Sequence, residues 1–177
     1  MNVKIASLPP SQWAEYRALR LEALQNEPQA FCSSYAEMYA KPEAYWRSRL
    51  EEAGDGKNWL LFARDEKGDL QGMVGAAIES PGTAALISLY VTKKARGQGI
   101  GKDLMAALLD ELSRAGTVSM ISLQVNSIQA AAVSLYKNNG FKITKKLRYF
   151  SGDGKEHDDY IMEREATKLN GSQNARR

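Results

Sequence analysis

The stretch Arg96-Gly97-Gln98-Gly99-Ile100-Gly101-Lys102 sets three alternate glycines between two basic side chains. Glycine lets the backbone approach a ligand closely and take conformations that other residues avoid. Where such a stretch opens a helix, the free N–H groups of the first turn point outward and the helix dipole adds positive potential. That arrangement suits a diphosphate, and Lys93 and Lys94 add charge nearby. Two commoner phosphate motifs do not fit. A P-loop places four residues between its first glycine and Gly-Lys-Ser/Thr; here Arg96 stands in the first glycine's place, and Asp103 replaces the magnesium-binding hydroxyl. The dinucleotide fingerprint Gly-x-Gly-x-x-Gly follows an early strand of a parallel unit. Here the glycines fall at 97, 99 and 101, after strands that read as antiparallel. The alternative is a connector that binds nothing.

A second block begins at Val125-Asn126 and runs through Gln129-Ala130-Ala131-Ala132-Val133-Ser134-Leu135-Tyr136 to Gly140-Phe141. Leu89-Tyr90-Val91 followed by residues 96–101 resembles the Arg/Gln-x-x-Gly-x-Gly/Ala signature of the GNAT family of N-acetyltransferases. The second block is similar to that family's Asn-x-x-Ala-x-x-Leu-Tyr-x-x-x-Gly-Phe. Ala132, Leu135, Tyr136, Gly140 and Phe141 match it, while Gln129 stands where the family usually has Asn. Glutamine keeps the amide donor and acceptor on a longer arm. The two motifs cover roughly the C-terminal half of the chain, in the family's order.

The resemblance implies acetyl-CoA as cosubstrate. The N–H groups of Arg96, Gly97, Gln98, Gly99, Ile100, Gly101 and Lys102 would hold its pyrophosphate. Leu89 and Val91 would pair with the pantetheine arm, and Asn126, Gln129, Ala132 and Tyr136 would lie along the coenzyme. A branched side chain at Gly99 is then expected to block the diphosphate. Tyr136 is the expected catalytic residue: a phenol beside the sulfur can donate a proton to the departing thiolate. With a pKa of about 10, a phenol holds that proton at neutral pH. The bland alternative is a helix tyrosine packed in the core beside Leu135.

The acceptor would be a primary amine on a small molecule or a peptide, acetylated directly, without an acyl-enzyme. An amine with pKa about 10.4 must lose a proton before it attacks. Glu22 and Glu79 are candidate bases, and each also reads as a solvated surface carboxylate. His157 reads as a surface residue, and Cys32 as no nucleophile. By family analogy the acceptor lies between the first two helices and the last hairpin, with Phe31, Ser33, Ser34 and Tyr35 as candidate lining residues. A non-catalytic acetyl-CoA sensor is the alternative function.

The elements that position these residues are readable in outline. A first helix follows Ser7-Leu8-Pro9-Pro10-Ser11, with Trp13, Tyr16, Arg17, Arg20, Leu21 and Leu24 at helical spacing. A second starts at Pro42. Residues 58–64, 70–79 and 84–91 read as strands of an antiparallel meander. Ile100, Leu104, Leu108 and Leu112 mark an amphipathic helix ended by Gly116. A strand at 120–125 then implies a right-handed crossover and locally parallel pairing. A helix at 130–139 and a hairpin of 141–149 with 157–165 complete the pattern. The expected class is α+β: a mixed, mostly antiparallel central sheet with helices on both faces, as in the GNAT acyl-CoA N-acyltransferase fold. Residues 1–166 are expected to form a single N-acetyltransferase domain, and 167–177 a polar, flexible tail.

The chain has 177 residues, a net charge of +3, one histidine and one cysteine. These values exclude a disulfide framework and argue against a zinc site or any other metal. The charge gives no sign of a nucleic-acid partner. No apolar run is long enough for a membrane span, and the N-terminus lacks signal-peptide blocks. The expected address is cytoplasmic. A homodimer is left open.

Overall fold

The computed structural model describes residues 2–166. The expected C-terminal tail lies outside the described residues. Among these, seven strands form one sheet in the order β1-β2-β3-β4-β5-β7-β6. They are β1 (Val3–Ala6), β2 (Asn58–Asp65), β3 (Leu70–Ser80), β4 (Thr83–Val91), β5 (Met120–Asn126), β6 (Lys142–Phe150) and β7 (Glu156–Glu165). The helices are α1 (Trp13–Asn26), α2 (Tyr35–Tyr39), α3 (Glu43–Glu51), α4 (Ile100–Ala115) and α5 (Ala130–Asn138). All strand pairs are antiparallel except β4 with β5. The expected mixed α+β sheet is thus present. The crossover through α4 makes the one parallel pair.

Alternation along the strands builds two cores. Trp59, Ala63, Val74 and Ala76 face one side, where Ile100, Leu104, Met105, Leu108 and Leu112 of α4 cover them. The intervening Leu60, Phe62 and Met73 face the other side and pack against α1 and α3. Successive strand residues point to opposite faces, so each long strand feeds both cores. Ile100 and the three leucines of the α4 stripe are 0–1% exposed, so the four-residue spacing read from sequence is the packing face itself.

Trp46 of α3 anchors the second core. It is fully buried, edge-on to Tyr16 at 5.2 Å, and its Nε1 donates to the Lys41 carbonyl at 3.3 Å. Trp46→Ala leaves a large cavity and an unpaired carbonyl, and is expected to cost about 3–5 kcal/mol of stability. Urea denaturation checks this; a loss below about 1 kcal/mol would show that α3 is not an integral wall.

Candidate active site

The sheet opens where its one parallel pair lies. β4 and β5 pair only at Thr83–Met120, Ala84–Ile121 and Ala85–Ser122. Beyond that the strands part, leaving the β5-facing backbone edge of residues 86–91 without a partner strand. β4 is also bulged: its register against β3 shifts between Gly75–Ile87 and Met73–Tyr90, and Ser88 sits at φ 60°. A non-glycine residue in the left-handed region stores strain and re-aims its neighbours. Sequence gave no sign of it, because no glycine marks the position.

The far end of β4 is tied down by polar contacts. Thr92 Oγ1 donates to Gln71 Oε1 at 2.9 Å, and Gln71 Nε2 donates to Asp65 Oδ2 at 2.7 Å. Arg96 Nε donates to the Val91 carbonyl at 3.2 Å, while its Nη2 pairs with Glu27 at 2.8 Å. The expected phosphate-binding Arg96 therefore also clamps β4 to the end of α1. The glycine loop follows. Gly97 and Gly99 take φ 74° and 85°, and Gly99 is the N-cap of α4. Among the described residues, the backbone N–H groups of 97–101 find no acceptor; the first that does is Lys102, bonded to the Gly99 carbonyl at 2.9 Å. The loop presents a run of free donors at a helix N-terminus, which fits a diphosphate.

A cavity of about 1080 Å³ runs from this loop through the open wedge to the α1–α3 side of the sheet. Of the residues expected along the coenzyme, Leu89, Val91, Arg96, Gly101, Gln129, Ala132 and Tyr136 line it. Other candidates sit differently. The Ile100 side chain is in the core, the Gln98 amide donates to the Lys94 carbonyl at 3.2 Å, and Lys102 is exposed in the first turn of α4. Asn126 is buried, and its Oδ1 accepts from the Ile128 N–H at 3.1 Å, shaping the turn into α5.

Tyr136 is placed by the two residues that follow α5. Gly140, at φ 84°, donates its N–H to the Lys137 carbonyl at 3.0 Å, and the Phe141 N–H bonds to the Tyr136 carbonyl at 3.1 Å. This is the Schellman pattern, which requires a left-handed residue at Gly140. It folds Phe141 back so that its ring meets Tyr136 edge-on at 5.9 Å. The Tyr-x-x-x-Gly-Phe spacing is thereby a device that fixes the tyrosine ring against the cavity. Burial pushes the Tyr136 phenol well above its ordinary value, so it keeps its proton throughout the neutral range.

The two candidate bases separate. Glu79 lines the cavity and accepts from Ser122 Oγ at 3.1 Å. Glu22 accepts from the Tyr90 hydroxyl at 2.9 Å, and Asn26 donates to that same hydroxyl at 3.0 Å. Burial, reinforced by Glu22, pushes Tyr90 up to about 12. Phe31 and Ser33 line the cavity. Ser34 instead caps α2 in a reciprocal pair with Glu37, and Tyr35 stacks on Tyr39 at 5.7 Å. His157 is not a free surface residue: it is half-buried and its Nε2 meets Asp153 at 2.8 Å inside the last hairpin. Sequence reasoning missed Arg49, Tyr45, Gln124 and Glu163 as lining residues, because they come together only through tertiary packing.

Residues 19–141 match the Acetyltransferase (GNAT) family, a span that takes in the glycine loop, the wedge strands and Tyr136. The chain belongs to this family. Among its relatives, mycothiol acetyltransferase of Renibacterium salmoninarum is 32% identical over 146 residues, covering 79% of this chain. The chain spans only 40% of that relative's length. The [ribosomal protein bS18]-alanine N-acetyltransferase of Escherichia coli is 29% identical over 119 residues, covering 66% of this chain and 78% of the relative. Among solved structures, a GNAT superfamily phosphinothricin acetyltransferase from Sinorhizobium meliloti, in complex with acetyl-CoA, superposes with a TM-score of 0.79. At 17% identity it covers 99% of this chain and 94% of its own. This GNAT family member thus shares the family's open mixed sheet, and no helix among its described residues is long and apolar enough to cross a membrane.

Proposed function

We propose that residues 1–166 are one N-acetyltransferase domain that moves the acetyl group of acetyl-CoA directly to a primary amine. The observation that carries this reading is the wedge: three paired residues between β4 and β5, then an open cleft with free loop N–H groups at its mouth and Tyr136 in its wall. In this reading the loop from Arg96 to Lys102 holds the diphosphate through backbone N–H groups. The unpaired edge at Leu89 and Val91 accepts the pantetheine arm as an added strand would be accepted. Gln129 and Ala132 flank it, and Asn126 acts through the turn it shapes.

Chemistry then follows from placement. The neutral amine attacks the thioester carbonyl, a C–N bond forms and the C–S bond breaks. Tyr136 gives its proton to the departing sulfur, and burial ensures that it has one to give; the proton that the amide nitrogen sheds passes to solvent, from which Tyr136 is reprotonated. The acceptor enters from the α1–α3 side, between Phe31 and the last hairpin. There the Gly152 N–H donates to the Phe31 carbonyl at 2.7 Å and joins the hairpin turn to the segment before α2. A cytoplasmic setting, where acetyl-CoA is made, goes with this reading.

Acetyl-CoA is expected to raise the melting temperature, and ATP is not. At about a hundred times its dissociation constant a ligand adds roughly 2.7 kcal/mol, or about 5–10 °C for a chain of this size. Differential scanning fluorimetry with acetyl-CoA, coenzyme A, ATP and NAD tests it. Equal shifts with ATP and acetyl-CoA would refute the coenzyme assignment. An amine panel assayed for released thiol then separates an enzyme from a sensor.

A further inference from the structure

The acceptor side of the cavity holds a buried cation without a countercharge. Arg20 of α1 is only 8% exposed, lies among the cavity-lining residues, and its Nη1 meets no acceptor. Among the described residues it donates no hydrogen bond. Its guanidinium stacks instead on Phe31, 4.4 Å from the ring centroid. The titratable groups that act on it most are Tyr16, Tyr45, Arg49 and Cys32, none of them a carboxylate. The two phenols are neutral at pH 7 and supply no negative charge. Arg49, also in the cavity wall, adds a second positive charge; its own carboxylate, Glu52, is 4.0 Å away, at the limit of an ion pair.

A buried guanidinium that is unpaired is costly, since charges leave water at a penalty that only a partner charge repays. Burial accordingly pushes Arg20 down from its ordinary value. The cavity wall carries three carboxylates: Glu27 is bound to Arg96, Glu79 accepts from Ser122, and neither these nor Glu163 pairs with Arg20 among the described residues. What is missing is an anion at the acceptor's end of the chamber. Phe31 holds the guanidinium plane fixed, and a fixed fork of donors matches a carboxylate's two oxygens.

We propose that Arg20, supported by Arg49, binds the carboxylate of the acceptor, so that the substrate is a small amine carrying a carboxylate in the same molecule, of amino-acid size. This rests on the acetyl-transfer reading above and narrows it. Arg20 is a specificity-determining residue and takes no part in the proton transfers. The chamber then selects a zwitterion: the carboxylate on Arg20, the amine toward the wedge and Tyr136.

The test pairs each common L-amino acid, and 4-aminobutyrate, with its own carboxamide, at saturating acetyl-CoA, and follows released thiol. Carboxamides of α-amino acids have less basic amines and so a larger free-base fraction. A preference for the carboxylate therefore runs against intrinsic reactivity. The best acceptor is expected to exceed its carboxamide at least about thirtyfold in kcat/KM, the effect of removing one partner from a buried charge pair. Arg20→Gln is expected to erase that preference, Arg20→Lys to restore part of it, and neither to change acetyl-CoA affinity measured by calorimetry. Carboxamides used as well as carboxylates by the unaltered enzyme would overturn the proposal without any variant. A tetrapeptide amide acetylated as fast as the best amino acid would also overturn it. Weakened acetyl-CoA binding in a folded Arg20→Gln would overturn it too, by placing Arg20 on the coenzyme. Acetyl-CoA binding with no turnover on any amine would instead refute the acetyl-transfer reading, and this proposal with it.

Discussion

Tyr136→Phe is expected to lower kcat by about a hundredfold to ten-thousandfold while leaving acetyl-CoA affinity near its original value. That range is what a positioned general acid contributes. The substitution removes one oxygen and keeps the ring. The edge-on contact with Phe141 and the Schellman turn at Gly140 both depend on the ring and backbone, so neither is disturbed. Among the described residues the Tyr136 hydroxyl has no hydrogen-bond partner, so its removal leaves no donor or acceptor stranded. Stability should change by less than about 1 kcal/mol. The measurement is turnover at saturating acetyl-CoA with any accepted amine, alongside a denaturation curve. Transfer within threefold of the unaltered enzyme would take Tyr136 out of the mechanism. A large loss of stability with unchanged turnover per folded molecule would make it a packing residue.

The pH dependence of this step has a definite sign. Burial raises the phenol's pKa, so the acid form persists well above neutrality and Tyr136 cannot be the source of a fall in rate between pH 6 and 9. A limb in that range belongs to the attacking amine or to whatever group takes its proton.

How far the sequence could be read depended on whether a signal was local. The α4 stripe is local, and Ile100 through Leu112 proved to be the packing face. The hairpins and the strand-helix-strand crossover are local too, and they lie where turn residues and periodicity put them. β1 was not recognised: four residues at a sheet edge carry too little pattern, and pairing with β2 is what makes them a strand. The capping box of α2, Ser34-x-x-Glu37, stands in the sequence, but a five-residue helix offers no periodicity to support it. The place of β7 between β5 and β6 is a matter of tertiary order and has no local mark.

The candidate site divides the same way. The glycine loop and the Tyr-x-x-x-Gly-Phe run were visible because backbone conformation demands particular residues there. The bulge at Ser88 was not, since a serine held at φ 60° looks like any serine. Arg20 was visible as a member of a helical repeat, yet its burial depends on Phe31, Tyr16 and Tyr45 closing around it. The free-donor geometry of the loop was legible; the surroundings of Arg20, assembled from α1, α3 and the segment between them, were not.

Gly101→Val is expected to abolish useful coenzyme binding, raising the dissociation constant by about two to four orders of magnitude. The structure makes it a better probe than Gly99. Gly99 sits at φ 85°, where a side chain costs about 1–2 kcal/mol of fold stability whatever it does to the ligand. Valine there confounds binding with folding. Gly101 has no such constraint. A Cβ at Gly101 would lie 3.6 Å from Leu135 Cδ2 and 3.7 Å from Val91 Cγ2, which is ordinary contact. In a helix valine is also somewhat better than glycine, and the denaturation curve reads whatever its two methyls cost against Val91 and Leu135. Yet Gly101 lines the cavity in the first turn of α4, at the end of the loop's run of free N–H groups, and valine adds two methyls to that wall. A diphosphate held off that backbone loses charge-assisted hydrogen bonds worth about 1.5–3 kcal/mol each. Losing two gives about 3–6 kcal/mol, which is the stated range. Calorimetric titration with acetyl-CoA, beside a urea denaturation curve for each protein, separates the two effects. A Gly101→Val protein that folds normally and keeps its affinity within threefold would move the coenzyme away from this loop, and the wedge reading would have to be abandoned with it.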